Sequence, residues 1–325
     1  MKKVITPTYN YIFNEKNGEF ARWGTTFGDD PEYSPIGLEI LDIEVSTVCH
    51  QGCSFCYKSN LSSGKNMSLN TFKNIIDNIP TLTQIAFGIG DIDGNPDLFR
   101  MFEYSRSKNI VPNITINGFR LTKKHIAQLL KYCGAVAVSH YDDDACFNTV
   151  KLLTDKGMQQ INIHSLLSEE TYNNVISLLK SRESDNRLSE LNAIVFLSLK
   201  QKGRGVNSSI ITDEHFKNIV DICFEKNISF GFDSCSACKF LNLIKEHPNY
   251  KKIATSVEPC ESGLFSGYVN ADGIFSPCSF SEGSIKGHDL TQPLDFLQDV
   301  WYNNSIQKWR KELLANKRSC PIYKI

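Results

Sequence analysis

The most constraining feature of this chain is a regular alternation of short apolar segments and amphipathic helical segments between residues 38 and 234. Several of the short segments are apolar throughout, which is typical of strands that are buried on both faces of a parallel sheet. About seven strand–helix units follow one another along the chain. The sequence therefore predicts an α/β fold whose parallel sheet is either open or closed into a barrel.

The individual elements can be placed from their periodicity. Strands are predicted at 38–46, 84–87, 113–116, 135–139, 160–164, 191–199 and 228–232. Helices are predicted between them, with clear apolar stripes at 69–79 and 216–223. Ser168, Glu169 and Glu170 predict the start of the helix after the fifth strand, because acids in the first turn favour the helix dipole.

The two ends of the chain lie outside this alternation. Residues 1–37 are rich in turns, and the Asn17-Gly18 pair between two aromatic-rich runs predicts a hairpin that packs on the main domain. Residues 235–325 are rich in cysteine and carry a second hairpin signal at 267–275. We therefore expect a small β element at 1–37, a main domain at 38–234 and a C-terminal extension at 235–325.

The composition fits a cytoplasmic, cofactor-bearing enzyme. The formal net charge of −1 gives no general electrostatic reason to expect nucleic acid or a membrane surface as a partner. No membrane span or signal peptide is predicted. In a reducing compartment the eleven cysteines are expected to be metal ligands and buried thiols rather than disulfides. Cys133, Cys146 and Cys223 are the expected ordinary buried thiols.

Three cysteines, Cys49, Cys53 and Cys56, follow the first predicted strand with the spacing CxxxCxxC. Thiolates grouped this closely suit a metal cluster better than a disulfide, because iron–sulfur clusters are held by cysteine thiolates. Three thiolates leave one iron with an open position, as in reactive metal sites. A zinc knuckle or a chance group of buried cysteines is the alternative.

Two further loops are expected beside the cysteines. The segment from Gly88 to Asp91 follows the second strand, and Asn117-Gly118 follows the third. Ligands of parallel sheets bind at the carboxyl ends of the strands, so these loops should converge with the cysteine loop on one mouth. This convergence favours an active site over a peripheral zinc knuckle.

With Phe55 before its last cysteine, the triplet resembles the signature of the radical SAM superfamily. The resemblance implies a partial (β/α) barrel in which Cys49, Cys53 and Cys56 hold a 4Fe–4S cluster. S-adenosyl-L-methionine would chelate the fourth iron through its amino and carboxylate groups. The implied reaction is reductive cleavage of this cofactor to methionine and a 5′-deoxyadenosyl radical, which abstracts a hydrogen atom from the substrate.

The resemblance also implies a set of cofactor-binding residues. Gly88, Gly90 and Asp91 stand where the family has Gly-Gly-Glu-Pro, although Ile89 interrupts the glycines and Asp replaces Glu, and they are expected at the methionine ammonium. A Gly/Asp-rich turn without a ligand is the alternative. The other expected cofactor contacts are Phe55, Tyr57, Thr115, Asn117, Ser139, His140, Asn162, His164 and Arg204. Polar groups at strand ends are often satisfied by backbone alone, and this alternative stays open for each.

The spacing of Cys260, Gly273 and Cys278 resembles the opening CxnGxxxxC pattern of SPASM and twitch domains, which carry auxiliary iron–sulfur clusters. Only five cysteines remain here, so a twitch-like extension with one auxiliary 4Fe–4S cluster is expected. Its ligands would be Cys260, Cys278, Cys320 and one of Cys235 or Cys238. A structural zinc site is the alternative, since four thiolates also suit zinc.

Many SPASM and twitch proteins modify ribosomally made peptides, so a peptide is the first expected substrate. Because residues 1–37 are short for a leader-binding domain, a small molecule or nucleoside is the second hypothesis. A third is a non-enzyme, either an iron–sulfur electron carrier or a zinc-stabilised binding module. An external one-electron donor such as a flavodoxin or ferredoxin is expected for the enzyme.

Asp233, at the end of the last strand, is the expected catalytic carboxylate, with turn capping as the alternative.

Overall fold

The computed structural model describes residues 1–325, and the chain begins with a three-stranded antiparallel sheet. Its strands are β1 (Lys2–Ile5), β2 (Asn10–Phe13) and β3 (Phe20–Trp23). The predicted N-terminal hairpin is confirmed as the β2–β3 pair. Gly18 has a φ angle of +78° in its turn, in the left-handed region that favours glycine. Strand β1, which pairs with β2, was not predicted from the sequence.

Seven parallel strands form the main sheet, as the alternation predicted. They are β4 (Ile40–Glu44), β5 (Gln84–Gly88), β6 (Val111–Ile116), β7 (Ala135–Ser139), β8 (Ile161–Leu167), β9 (Ala193–Ser198) and β10 (Phe230–Phe232). Each strand pairs in parallel with the next one along the chain, so all seven carboxyl ends share one edge. The outermost strands of the sheet do not pair with each other, and the fold is therefore a partial barrel.

One helix follows each of the first six parallel strands. The helices are α1 (Leu69–Asn78), α2 (Leu98–Ser107), α3 (Lys123–Tyr132), α4 (Asp143–Thr154), α5 (Tyr172–Ser184) and α6 (Asp213–Glu225). Four of them begin with a side-chain oxygen that accepts a backbone N–H, which satisfies a donor at the helix start; these caps are Ser68, Thr122, Asp142 and Thr212. The apolar sides of the helices pack on the sheet and form most of a core of 55 buried residues.

The prediction that Glu169 and Glu170 form the first turn of a helix was wrong, because α5 begins only at Tyr172. The two carboxylates bind the loop before α6 instead. Glu169 accepts a hydrogen bond from the backbone N–H of Thr212 at 2.7 Å, and Glu170 accepts one from that of Ser209 at 2.8 Å. The acidic pair therefore joins two loops of the barrel rather than opening a helix.

The main sheet continues into the C-terminal extension. Strands β11 (Ser266–Val269), β12 (Ile274–Ser276) and β13 (His288–Asp289) follow β4 in the sheet, and β11 pairs with β4 in parallel. The predicted second hairpin is confirmed as the antiparallel β11–β12 pair. In its turn Gly273 has a φ angle of +82°. Strand β4 is therefore an internal strand of a ten-stranded sheet.

The rest of the extension is helical. It contains α7 (Ala237–Leu243), α8 (Tyr250–Ala254), a one-turn π-helix at Phe296–Trp301 and α9 (Asn304–Ala315). The indole N–H of Trp301 donates to the carbonyl oxygen of Ser34 at 2.8 Å, so the extension is tied to the N-terminal segment. None of the helices combines the length and the apolar character that a membrane crossing requires.

A second, smaller core joins the N-terminal sheet to the main sheet and to the extension. It contains Tyr9, Tyr11, Phe13, Val111, Cys260, Leu264, Phe265 and Leu313. Arg22 of β3 lies beside this core and binds two carboxylates, with its Nε 2.7 Å from Glu39 and its Nη1 3.0 Å from Glu261. Burial would lower the pKa of Arg22, but the two carboxylates raise it above its ordinary value. Arg22 is therefore the charged link between all three parts of the chain.

We expect Arg22→Met to lower the free energy of unfolding by about 3 kcal/mol, because removing one partner of a buried pair leaves uncompensated charge. The side chain of Glu39 is fully buried, so its carboxylate cannot recover hydration in the folded state. Urea denaturation followed by circular dichroism measures the change. The matched control is Arg100→Met, whose pair with Asp97 is exposed and should contribute less than about 1 kcal/mol. Equal effects of the two substitutions would contradict the assignment.

Candidate functional site

Cys49, Cys53 and Cys56 lie in one loop after β4, at the shared edge where the parallel strands end. The loop folds through local hydrogen bonds, including one from the backbone N–H of Cys56 to the carbonyl of Cys53 at 3.3 Å. Gly52 has a φ angle of +62° between the first two cysteines. Burial raises the pKa of the Cys49 and Cys53 thiols. Metal binding would therefore have to displace their protons, as it does at thiolate sites generally.

Arg204, in the loop after β9, holds the cysteine loop from one side. Its Nε donates to the carbonyl oxygen of Cys53 at 2.8 Å, and its Nη1 donates to that of Asn60 at 2.9 Å. The preceding Gly203 has a φ angle of +60°, and a Cβ there would lie 2.4 Å from the carbonyl oxygen of Tyr57. Arg204 thus positions the loop, and its contact with the cofactor carboxylate stays a prediction.

Asp91 holds the cysteine loop from the other side. Its Oδ2 accepts the backbone N–H of His50 at 3.0 Å and lies 2.6 Å from the His50 ring Nδ1, while its Oδ1 accepts from Asn117 at 2.9 Å. Burial alone would raise the pKa of this carboxyl, but these hydrogen bonds hold it below its usual range. The carboxylate is buried behind the loop rather than in the cavity described below. Its predicted contact with the methionine ammonium remains untested.

The cysteine loop and the inner face of the sheet enclose a cavity of about 380 Å³, within the size range of small-molecule sites. All three thiols of the CxxxCxxC motif line it. Nine of the predicted cofactor-binding residues line the same cavity, namely Phe55, Tyr57, Gly88, Gly90, Thr115, Asn117, Ser139, His164 and Arg204. The structure therefore brings together residues that come from the ends of six different strands.

Besides Asp91, two predicted cofactor residues do not line the cavity. The His140 Nε2 lies 2.6 Å from a carboxylate oxygen of Asp143. The Asn162 Oδ1 accepts a hydrogen bond from Asn192 at 2.8 Å. Both side chains are thus bonded to side chains of neighbouring residues rather than to backbone, and their contact with the cofactor stays a prediction.

His164 lies in the cavity as a neutral imidazole. Burial lowers its pKa to about 4. Its Nδ1 is 3.3 Å from the hydroxyl of Thr115, which is also a predicted cofactor residue. At neutral pH this pair can donate and accept hydrogen bonds without adding charge to the cavity.

The structure adds charged residues that sequence analysis did not single out. Asp42 and Glu44 of β4 both line the cavity, as do Lys58 and Tyr268. The Lys58 ammonium donates to the Tyr268 hydroxyl at 2.7 Å and lies 3.3 Å from the Glu44 carboxylate. It also pairs with Glu282 of the extension. The available signal was two acids at alternate positions of an otherwise apolar strand, which must share one face.

Four cysteines of the extension lie close to one another. Burial is the main cause that raises the pKa of the Cys235, Cys260 and Cys278 thiols, that of Cys278 to about 11. Neighbouring thiols raise these pKa values further: Cys260 and Cys320 raise that of Cys235, and Cys260 raises that of Cys278. Cys238 lines a separate surface cavity with Cys235 and Cys320, but its Sγ is 3.7 Å from the carbonyl oxygen of Lys317.

Asp233 is engaged by two neighbours and does not line the cavity of the cysteine loop. Its carboxylate pairs with the buried Lys200 ammonium and accepts the backbone N–H of Ser236 at 3.1 Å. Burial would lower the pKa of Lys200, but Asp233 and Cys235 hold it above its ordinary value. The hydrogen bond to Ser236 is the turn-capping interaction that the sequence allowed, and the catalytic role of Asp233 stays a prediction.

The donors of the cysteine loop fit an iron–sulfur cluster. No three His, Cys, Asp or Glu side chains are arranged to hold a single metal ion. A cluster places less stringent demands on the distance between thiols, because each thiol binds a different iron. Cys49, Cys53 and Cys56 supply three thiols of one short loop that face one cavity. This donor set is soft and sulfur-only, as such clusters require.

Comparison with known proteins agrees with this geometry. Residues 43–178 match the family described as the Radical SAM superfamily. No curated protein matches the chain in sequence. The matched segment begins in β4 and contains the cysteine loop and the residues of the first five strand ends. Residues 43–178, less than half of the chain, are thus similar to the radical SAM superfamily.

Solved structures show the same fold. SuiB of Streptococcus suis, bound to S-adenosylmethionine, superposes with a TM-score of 0.64 at 15% identity, covering 85% of this chain and 68% of that chain. SuiB bound to its precursor peptide SuiA gives a TM-score of 0.65 at 15% identity and covers 83% and 66% of the two chains. Native anSMEcpe with bound AdoMet and Cp18Cys peptide gives 0.65 at 14% identity, covering 85% and 83%.

We expect Gly90→Ala to impair loading of the cysteine loop with iron while the protein still folds. A Cβ at Gly90 would lie 2.3 Å from the carbonyl oxygen of Val48 and 2.4 Å from the Cβ of Cys49, so the loop would have to move. Iron content and the visible absorption of the anaerobically reconstituted protein measure this effect. The matched control is Gly88→Ala, whose Cβ meets its nearest atom at 3.4 Å and should leave the iron content unchanged. Full iron loading of the Gly90 variant would show that the close approach is not required.

Proposed function

We propose that this enzyme binds a 4Fe–4S cluster and S-adenosylmethionine and abstracts a hydrogen atom from a ribosomally made peptide. The observation that carries the proposal is the position of Cys49, Cys53 and Cys56 on the wall of a cavity at the carboxyl ends of the strands. A site in this position can hold a reactive group next to a substrate while the sheet excludes bulk water.

Cys49, Cys53 and Cys56 would hold the cluster, which would supply one-electron reduction of bound S-adenosylmethionine to methionine and a 5′-deoxyadenosyl radical. The chain's own contribution is positioning. Arg204 and Asp91 fix the loop backbone from two sides, so the thiols need little rearrangement to bind. The electron would come from an external one-electron donor such as a flavodoxin or ferredoxin.

A peptide substrate is supported by two of the structural neighbours. SuiB is solved with the precursor peptide SuiA, and anSMEcpe with the Cp18Cys peptide. The identity of 14–15% to these proteins is low, so the support comes from the shared architecture alone. A small molecule or nucleoside is the second candidate. The cavity volume of about 380 Å³ suits a small molecule as well as it suits one side chain of a peptide.

We further propose that the extension is twitch-like and holds one auxiliary 4Fe–4S cluster through Cys235, Cys260, Cys278 and Cys320. Neighbouring thiols of this set raise the pKa of Cys235, Cys260 and Cys278, which places the thiols close to one another and supports the set. It also favours Cys235 over Cys238 as the fourth ligand. Cys235 has Cys260 and Cys320 as neighbours, and the nearby Lys200 ammonium would offset the negative charge of a thiolate there.

Replacing Cys49, Cys53 and Cys56 together by Ala should abolish cleavage of S-adenosylmethionine, because the site for the cluster is lost. The fold should persist, since the loop lies at the strand ends and outside the main core. The measurement is release of 5′-deoxyadenosine by the reconstituted protein under dithionite, with circular dichroism as the test of folding. The matched control replaces Cys133, Cys146 and Cys223, which are buried thiols away from the cavity, by Ala. Cleavage by the first variant at the wild-type rate would overturn the proposed function.

The auxiliary cluster predicts the iron content of single-cysteine variants. The wild-type protein should hold about eight irons in two 4Fe–4S clusters. Cys235→Ala and Cys278→Ala should each reduce this to about four, because a cluster ligand is removed. Cys238→Ala is the matched control and should keep about eight. Tightly bound zinc together with about four irons in the wild type would replace the auxiliary cluster by a structural zinc site.

A further inference from the structure

Asp42 is the one carboxylate of the cavity that has no partner in the protein. The other lining acid, Glu44, is neutralised by Lys58 and accepts a hydrogen bond from the Tyr268 hydroxyl at 3.2 Å. The Asp42 side chain makes neither a hydrogen bond nor an ion pair with any residue of the chain, although it lines the same cavity. A carboxylate on a cavity wall without a protein partner is free to bind a group that enters the cavity.

The surroundings of Asp42 are those of a binding site rather than of a surface. Its side chain is accessible to solvent, yet protein surrounds it closely enough that burial raises its pKa to about 6, with Glu261 adding to the effect. Accessibility and enclosure coexist because the side chain reaches solvent through the cavity. The charged form of Asp42 is thus costly until a cation or a strong hydrogen-bond donor is placed beside it.

The sheet register leaves room for such a group. Asp42 lies opposite Ala86 of β5 on one side and opposite Tyr268 of β11 on the other. Ala86 is small, and the Tyr268 hydroxyl is directed to Glu44 and Lys58. With a rise of about 3.3 Å per residue, Asp42 is about 13 Å along the chain from Ser46, where the cysteine loop begins. The carboxylate therefore lies at the bottom of the cavity, and the thiols lie at its mouth.

The other charged groups of the cavity are already matched. Lys58 pairs with Glu44 and Glu282, and the Arg204 guanidinium donates to backbone carbonyls. His164 is neutral at physiological pH. The cavity therefore has no free cation to attract an anionic substrate, and its one free charge is negative.

We propose that Asp42 anchors the substrate by binding a cationic nitrogen, either a protonated amine or a guanidinium. This inference rests on the proposed function for the reaction and adds the substrate class. Asp42 then determines specificity from the bottom of the cavity, while the hydrogen that is removed lies nearer the mouth. In a peptide substrate the anchored group is a basic side chain or the terminal amine; in a small molecule it is an amine.

The test uses the reconstituted holoenzyme with S-adenosylmethionine bound and two probes of matched shape. Nα-acetyl-lysinamide carries the ammonium, and Nα-acetyl-norleucinamide has the same aliphatic chain without it. Isothermal titration should show that the wild type binds the lysine probe about tenfold or more tightly than the norleucine probe, as a charged hydrogen bond allows. Asp42→Asn should remove this preference, and Asp42→Glu should retain part of it.

Two controls separate the possible outcomes. Asp272→Asn replaces an exposed carboxylate in the β11–β12 turn and should keep the full preference. The dissociation constant of S-adenosylmethionine should be unchanged in Asp42→Asn; a tenfold loss would mean that Asp42 binds the cofactor ammonium instead and would overturn the inference. If the wild type shows no preference for the lysine probe yet still releases 5′-deoxyadenosine, the inference fails and the proposed function stands. If Asp42→Asn does not fold, Asp42→Ser takes its place with the same expectations.

Discussion

The site depends on the fact that strand β4 is hydrogen-bonded along both of its edges. On one edge it pairs with β5, the next strand of the barrel, and on the other with β11 of the C-terminal extension. The cysteine loop leaves the carboxyl end of this doubly fixed strand, and Asp42 and Glu44 project from the strand itself into the cavity. Because β4 cannot shift along either neighbour without breaking a ladder, the thiols and both acids keep a fixed spacing.

Within that frame, the loop is fixed by contacts to its backbone rather than to its thiols. Arg204 and Asp91 bind main-chain groups at Cys53 and His50, and Gly90 lets a neighbouring loop approach Cys49 closely. Arg204 and Asp91, which the family resemblance placed at the cofactor, thus position the backbone of the loop that carries the cysteines. This arrangement leaves the sulfur atoms free to bind metal while the protein determines where they lie, which is the usual role of groups surrounding a metal site.

Much of the fold could be predicted because its signals are local. Apolar periodicity located the seven strands and the six helices between them, and two Gly turns located both hairpins. Features that depend on residues distant in the chain could not be predicted. The β4–β11 pairing joins segments that no local pattern connects, and Glu169 binds a loop some forty residues away instead of starting a helix. The same limit applied to the site: strand-end residues were found, whereas Asp42 became visible only once the sheet showed that Glu44 has partners and Asp42 has none.

The pairing of β4 with β11 has a consequence for how the protein is made. Glu44 and Tyr268, which share a hydrogen bond across this seam, are 224 positions apart in the chain. During synthesis the N-terminal part of a chain emerges and folds first. The cysteine loop is therefore synthesised while one edge of β4 is still unpaired and the cavity lacks the wall that β11 supplies. In that interval the thiols are open to whatever delivers iron and sulfide, and the unpaired edge is open to unwanted strand addition. When the C-terminal extension is made, pairing of β11 with β4 covers the strand edge and completes the cavity wall together.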